Sequence, residues 1–221
     1  MSGAPLPVVV LISGSGTNLQ AIIDRAKGDL PIEIRAVISN RAGVYGLQRA
    51  AEAGIETRVL DHTAYADRES YDQALIELID SYRPGLVALA GFMRILTPAF
   101  ARHYAGRLFN IHPSLLPKYR GLHTHQRALD AGDEMHGATI HFVTEELDGG
   151  PLIVQAQVPI EADDDAERLA TRVLEKEHLI YPLAIRWFAQ QRLKLDEESH
   201  VILDDKPLAG PVVFAVDEPI G

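Results

Sequence analysis

The feature that most constrains how this chain can fold is an alternation, through its first half, of short apolar runs with longer stretches of helical spacing. Residues 7–12, 32–38, 57–60, 86–90 and 108–111 read as strands, and between them helices are expected at about 17–27, 44–53, 68–82 and 97–104. In the third helix Tyr71, Leu75, Leu78, Ile79 and Tyr82 fall on one face. The first, fourth and fifth strands are almost wholly apolar, as strands of a parallel sheet buried on both faces must be. Strand, helix and strand in repetition predict an α/β fold, a doubly wound, mostly parallel sheet with helices on both faces and a Rossmann-like N-terminal half.

After residue 121 the pattern predicts a helix near 122–131, strands near 138–143 and 152–158, and a long helix over about 164–190. Pro182 should kink or break that helix, because proline brings no N–H and its ring clashes with the preceding turn. A final strand or hairpin region follows. The organisation expected is one domain over 1–221, with a phosphate-binding half at about 7–111, a catalytic half at about 112–195 and a tail at 196–221. A chain of 221 residues, 47% hydrophobic, can bury a core of that size without staples. It contains no cysteine, which excludes disulfides, thiolate metal sites and a thiol nucleophile.

The formal net charge of −10 arises entirely after residue 110: the first 110 residues carry 11 basic and 11 acidic side chains, the remainder 10 and 20. A nucleic-acid partner would require a basic stripe, so none is expected. The first residues have no basic segment and no apolar run approaches membrane-spanning length, so a cytoplasmic protein without a membrane partner is expected.

Gly14-Ser-Gly16-Thr-Asn18 follows the first strand and opens the first helix, where backbone N–H groups and the helix dipole favour an anion. A dinucleotide site would want glycine where Leu19 stands and an acid where the second strand ends in Ser39-Asn40. The Gly-Lys-Ser/Thr of a P-loop is missing as well. The loop therefore suits a single phosphate monoester, or else is a plain turn with Asn18 at the surface.

Asn110 and His112 stand two apart at the end of the fifth strand and so leave the same face. Asp148 follows a later apolar run. An amide that can bond an oxyanion, an imidazole that exchanges a proton near neutral pH and a carboxylate that can hold it protonated are equipment for acyl transfer. Taken alone, the Asn-x-His spacing is better read as a polar strand edge with a satisfied histidine, since such spacing is common among loop-flanking residues. In the long helix, Ala166, Leu169, Ala170, Val173 and Leu174 make a stripe whose next turn lands on Glu177. A carboxylate there either finds a partner, faces a cleft or lies at the stripe's wet edge.

Asn110-Ile-His-Pro-Ser-Leu-Leu-Pro117 with Tyr119-Arg-Gly121, Leu147-Asp-Gly-Gly-Pro151, Ile12-Ser-Gly-Ser-Gly-Thr-Asn18 and Ala90-Gly-Phe-Met-Arg-Ile-Leu96 occur here in one order. Together they resemble the folate-dependent formyltransferases, and the similarity runs from about residue 8 to about 195. The closest resemblance is to the branch that formylates glycinamide ribonucleotide in purine synthesis. It implies a formyltransferase fold, 10-formyltetrahydrofolate as cosubstrate, no metal, and small-molecule partners only, in a monomer or homodimer.

The resemblance also implies roles. Asn110, His112 and Asp148 would be catalytic. Gly16, Thr17 and Asn18 would hold the substrate phosphate, and Glu177 its sugar and amine. Met93, Arg94, Ile95 and Leu96 would line the pterin pocket, largely through backbone groups. Thr144, Glu145, Glu146, Leu147 and Asp148 would form the other wall, with Asn110 also at the folate and Arg68 near its glutamate tail.

Three points stay open at this stage. Arg120 stands where relatives often have proline, so the shape of the loop before Gly121 is not determined. His123 and His125 fit either the rim of the cleft or the surface, and no third ligand with fixed spacing makes them a zinc site. The same catalytic residues serve formyltetrahydrofolate deformylases and methionyl-tRNA formyltransferases, and a nucleotide-binding regulatory protein could keep the fold without activity.

Overall fold

The structure, a computed structural model, describes residues 4–216 and 218–220. The chain divides after Asn110 into two compact units.

In the first unit β1 (Leu6–Ile12), β2 (Ile32–Ser39), β3 (Thr57–Val59), β4 (Leu86–Leu89) and β5 (Leu108–His112, which runs on into the second unit) pair in the order β3-β2-β1-β4-β5, all parallel. Val8 to Ile12 of the central strand are completely buried, as the continuous apolar run requires. The crossovers are α1 (Thr17–Ala26), α2 (Tyr45–Glu52), α3 (Arg68–Ser81) and α4 (Pro98–His103). Asp67 caps α3, its carboxylate accepting from Ser70 N at 2.8 Å, and Tyr71, Leu75 and Ile79 form the buried face. α4 begins with Thr97 as cap and proline in its first turn, where a missing N–H costs nothing. Sequence order reverses between β1 and β4, and at such a switch point the loops leaving the carboxyl ends of the strands form a binding crevice.

In the second unit α5 (Thr124–Asp130) precedes an antiparallel pair, β6 (Met135–Phe142) and β7 (Leu152–Pro159), in register from Met135↔Pro159 to His141↔Leu152 with an irregularity at Ile140/His141. β6 begins three residues earlier than the apolar pattern suggests. His136 and Gly137 are weak strand formers, but they face Val158 and Gln157 across the ladder, and pairing overrides propensity. A Cβ on Gly150 would sit 1.9 Å from the Phe142 carbonyl oxygen, so only glycine lets the chain turn this tightly into β7.

α6 (Ala166–Ala189) packs on β6 and β7. Asp165 caps it by accepting from the Glu167 and Arg168 amides. Of the kink or break expected at Pro182, the break does not occur: the helix continues unbroken for 24 residues. Its environment supplies the reason, since Ile180, Tyr181, Pro182, Leu183, Ala184 and Ile185 are all buried and tertiary packing outweighs one lost backbone hydrogen bond. The tail forms a small antiparallel sheet from β8 (Leu193–Leu195), β9 (Val201–Leu203) and β10 (Lys206–Pro207), after which β11 (Val212–Phe214) pairs parallel with β7.

Candidate active site

Each unit carries part of the predicted machinery. In the first, the loop after β1 brings Gly16, Thr17 and Asn18 to the start of α1. Gly16 is the helix N-cap at φ 71°, with no side-chain cap, so the first-turn amides are offered by backbone alone. A Cβ at Gly16 would lie 2.6 Å from Gly46 Cα, so glycine is required both by the dihedral and by the approach of α2. The α2 segment engages the loop's carbonyls. Gly46 N donates to Gly14 O at 3.1 Å, and Arg49 Nε to Ser15 O at 2.9 Å. Asn18 is buried.

The same strand end anchors the segment after β4. Ser13 N donates to Gly91 O at 3.0 Å, and Ser13 Oγ accepts from Met93 N at 2.8 Å while donating to Asn40 Oδ1 at 2.6 Å. Met93 and Ile95 are left 64% and 56% exposed, although large apolar side chains normally avoid water. Arg94 lies over the Tyr71 ring, 4.9 Å from its centroid, and Asp72 accepts from Thr97 N. Arg68 is the first residue of α3 and is exposed.

β5 carries Asn110 and, one pleat further, His112. Within the second unit His112 and Asp148 meet, Nδ1 to Oδ2 at 3.5 Å, both side chains more than nine-tenths buried. His112 Nε2 lies 2.9 Å from the Tyr119 carbonyl oxygen. Each ring nitrogen therefore faces an oxygen acceptor. Gly121 N donates to the same Asp148 Oδ2 at 2.9 Å. Asp148 holds φ 48°, a left-handed conformation costly for a side-chain-bearing residue and characteristic of functional sites.

A buried polar network supports this loop from below. Thr139 Oγ1 donates to Ser114 O at 2.6 Å and accepts from Leu116 N, and Gln155 Nε2 donates to Leu116 O at 2.7 Å. His141 Nε2 lies 3.9 Å from Asp148 Oδ1. Burial is the main reason its pKa is lowered, which favours a neutral ring beside the carboxylate. His136 is pushed down to about 4, first by burial and then by its neighbour His125, whose Nδ1 is 3.2 Å from His136 Nε2. His125 is thus a partner of a buried ring, while His123 is exposed at the head of α5 with φ 58°. Glu177 is buried on the α6 stripe and is not free there.

Of the second wall, Glu146 pairs with Arg120, and Leu147 is 49% exposed. Among the described residues no group of three or more histidines or acids could hold a metal ion.

Several groups escaped sequence reading. The Tyr119 carbonyl and Gly121 amide are backbone atoms and leave no side-chain signature. Ser13 and Asn40 are small polar residues at strand ends, where they read as turn formers. His141 stands inside an apolar strand run, and that placement was the one available hint that it is buried against something polar.

A formyl transferase family model matches residues 6–185. The phosphoribosylglycinamide formyltransferase of Escherichia coli is 57% identical over 212 residues, covering 96% of this chain and 99% of its own. Among solved structures, a phosphoribosylglycinamide formyltransferase from Coxiella burnetii superposes with a TM-score of 0.91 at 55% identity, covering 95% of this chain and 99% of that one. A glycinamide ribonucleotide transformylase from Symbiobacterium toebii gives 0.87 at 46% identity, covering 91% and 95%.

Proposed function

Because the chain belongs to the formyl transferase family, we infer that it transfers the formyl group of 10-formyltetrahydrofolate to the glycine amine of glycinamide ribonucleotide. The products are formylglycinamide ribonucleotide and tetrahydrofolate, in the route to IMP. The observation that carries the reading is His112 held between the Tyr119 carbonyl and the Asp148 carboxylate.

The neutral amine attacks the formyl carbon, and the carbonyl electrons move onto oxygen. Asn110 and His112 stabilise that oxyanion, with the Asp148 carboxylate beside the ring keeping it aligned. As the intermediate collapses, the carbon–N10 bond breaks, and the proton lost by the amine is delivered to N10 of tetrahydrofolate with Asp148 assisting through water. No covalent enzyme intermediate is needed. Gly16, Thr17 and Asn18 are assigned to the substrate phosphate, where backbone donors at a helix start meet a dianion. Glu177 is assigned to the sugar and amine. Met93, Arg94, Ile95 and Leu96, with Thr144, Glu145, Glu146, Leu147 and Asp148, are assigned to the folate, and Arg68 to its carboxylate tail.

No helix of the described residues is long and apolar enough to cross a membrane. Both substrates are small and soluble, and the reaction is assigned to the cytoplasm, in a monomer or homodimer. Tetrahydrofolate release from the formyl donor tests the reading. It is expected with glycinamide ribonucleotide, and not with water alone or with charged initiator tRNA. Comparable release with water alone would reassign the chain as a deformylase.

A further inference from the structure

The turn that contacts both His112 and Asp148 is itself strained. Tyr119 stands at φ 57° and Gly121 at φ 78°. Glycine adopts this region freely, but a tyrosine does so only where its surroundings hold it there. The strain is functional in the literal sense that these two residues supply the Tyr119 carbonyl for His112 Nε2 and the Gly121 N–H for Asp148 Oδ2.

What holds the turn is a set of side chains outside the catalytic group. The Arg127 guanidinium lies 5.1 Å from the centroid of the Tyr119 ring, and its Nη1 donates to Arg120 O at 2.6 Å and to Leu122 O at 3.4 Å. One planar cation from the last turn of α5 thereby grips residues 119, 120 and 122, which a point charge on a flexible stem could not do with the same geometry. At the far end of the ring, Tyr119 Oη donates to Asp133 Oδ2 at 2.7 Å, and Lys118 Nζ donates to the same carboxylate. Those two hydrogen bonds hold the Asp133 carboxyl below its usual range.

We propose that Arg127 is a positioning residue for the formyl transfer. It clamps the 119–122 turn in its left-handed form and so aims the Tyr119 carbonyl and the Gly121 amide at the His112–Asp148 pair. The proposal rests on the reading that this pair handles the transferred charge and proton. It also answers the open question of Arg120: the loop's shape is set through that residue's carbonyl, which Arg127 holds, while its side chain pairs outward with Glu146.

The test compares wild type, Arg127→Ala and Arg127→Lys in steady-state formylation of glycinamide ribonucleotide, with melting temperatures and the ring ¹⁵N resonances of His112 recorded without substrate. Arg127→Ala is expected to lower kcat at least about tenfold while both KM values move less than about threefold, since misaligned groups lose interactions made mainly in the transition state. Its His112 resonances should shift or broaden, and added guanidinium should restore part of the rate. Arg127→Lys should fall between the two. A variant merely less stable would melt earlier yet keep the kcat and His112 resonances of wild type, which overturns the proposal. Lost kcat with unmoved His112 resonances overturns it too. Should wild type fail to formylate the ribonucleotide while the variant still displaces the His112 resonances, the clamp stands and the functional reading falls.

Discussion

The loop at Gly16 in the first unit and the loop at Tyr119 in the second are built in opposite ways. The first is backbone presented by regular structure: a glycine N-cap at φ 71°, a helix start, and carbonyls engaged by the neighbouring α2 segment. The second is held by side chains reaching in from α5, β6, β7 and the residues before β6, namely Arg127, Thr139, Gln155 and Asp133. Binding a phosphate needs several converging donors, and a helix end provides them wherever the chain folds at all. Setting an imidazole between a carbonyl and a carboxylate needs alignment to fractions of an ångström, and that takes cross-bracing.

The sharpest way to break this contrast is at the braced pair itself. Asp148→Asn is expected to lower kcat by roughly 10²-fold or more with little change in either KM, and His112→Ala to be as severe. The double variant should lose far less than the product of the two, because the residues act as a unit. Near-normal turnover in Asp148→Asn, or fully multiplicative losses, would defeat the assigned mechanism.

The second unit should also carry an acid signature, through the buried His136. His136 is lowered in the folded protein from an ordinary value of 6.5 to about 4, so between those values the unfolded chain binds a proton that the folded chain refuses. Stability is therefore intact above about pH 6.5 and lost as pH falls, by about 2 kcal/mol at pH 5 and about 3 kcal/mol at pH 4. Urea midpoints measured from pH 7 to pH 4 should show this slope, and His136→Gln should flatten it. An unchanged slope in the variant would place the acid sensitivity elsewhere.

At the Gly16 loop the expected effects are smaller and, if it holds the substrate phosphate as proposed, fall on one substrate. Thr17 is the first helical residue of α1, a position that accepts proline without breaking the helix. Thr17→Pro should delete one donor and, because proline disfavours the ψ 33° that Gly16 holds before it, shift the loop as well, raising the KM for the ribonucleotide at least about tenfold with the folate KM unchanged. Gly16→Ala should add a loss of stability, because its Cβ would strike Gly46. Equal changes in both KM values would show that the loop is no dedicated phosphate site.

The smallest effect is expected at the exposed Arg120–Glu146 pair. Glu146→Gln should change stability by less than about 1 kcal/mol, and 0.5 M salt should erase even that difference. A larger, salt-resistant loss in denaturation would mean that the outward side chain, and not only the carbonyl held by Arg127, shapes the turn.

By itself the sequence determined the alternating α/β order, the apolar central strands, the glycine loop after β1 and the pairing of Asn110 with His112 on one face of β5. All of these follow from local periodicity and from residues whose backbone preferences are strong, and they survive in the structure with boundaries shifted by a few residues. The start of β6 at Met135 and the unbroken course of α6 through Pro182 were not legible, because partner strands and packing outweigh local propensity at both places. Of the immediate environment of His112, the sequence offered the carboxylate thirty-six residues on but not the backbone carbonyl seven residues on, and the turn between them is held by Arg127 and Asp133 through groups that no pattern of side chains announces. Local preference is written residue by residue, whereas alignment at a reacting centre is a property of contacts between residues far apart in the chain, which exist only once the chain has folded.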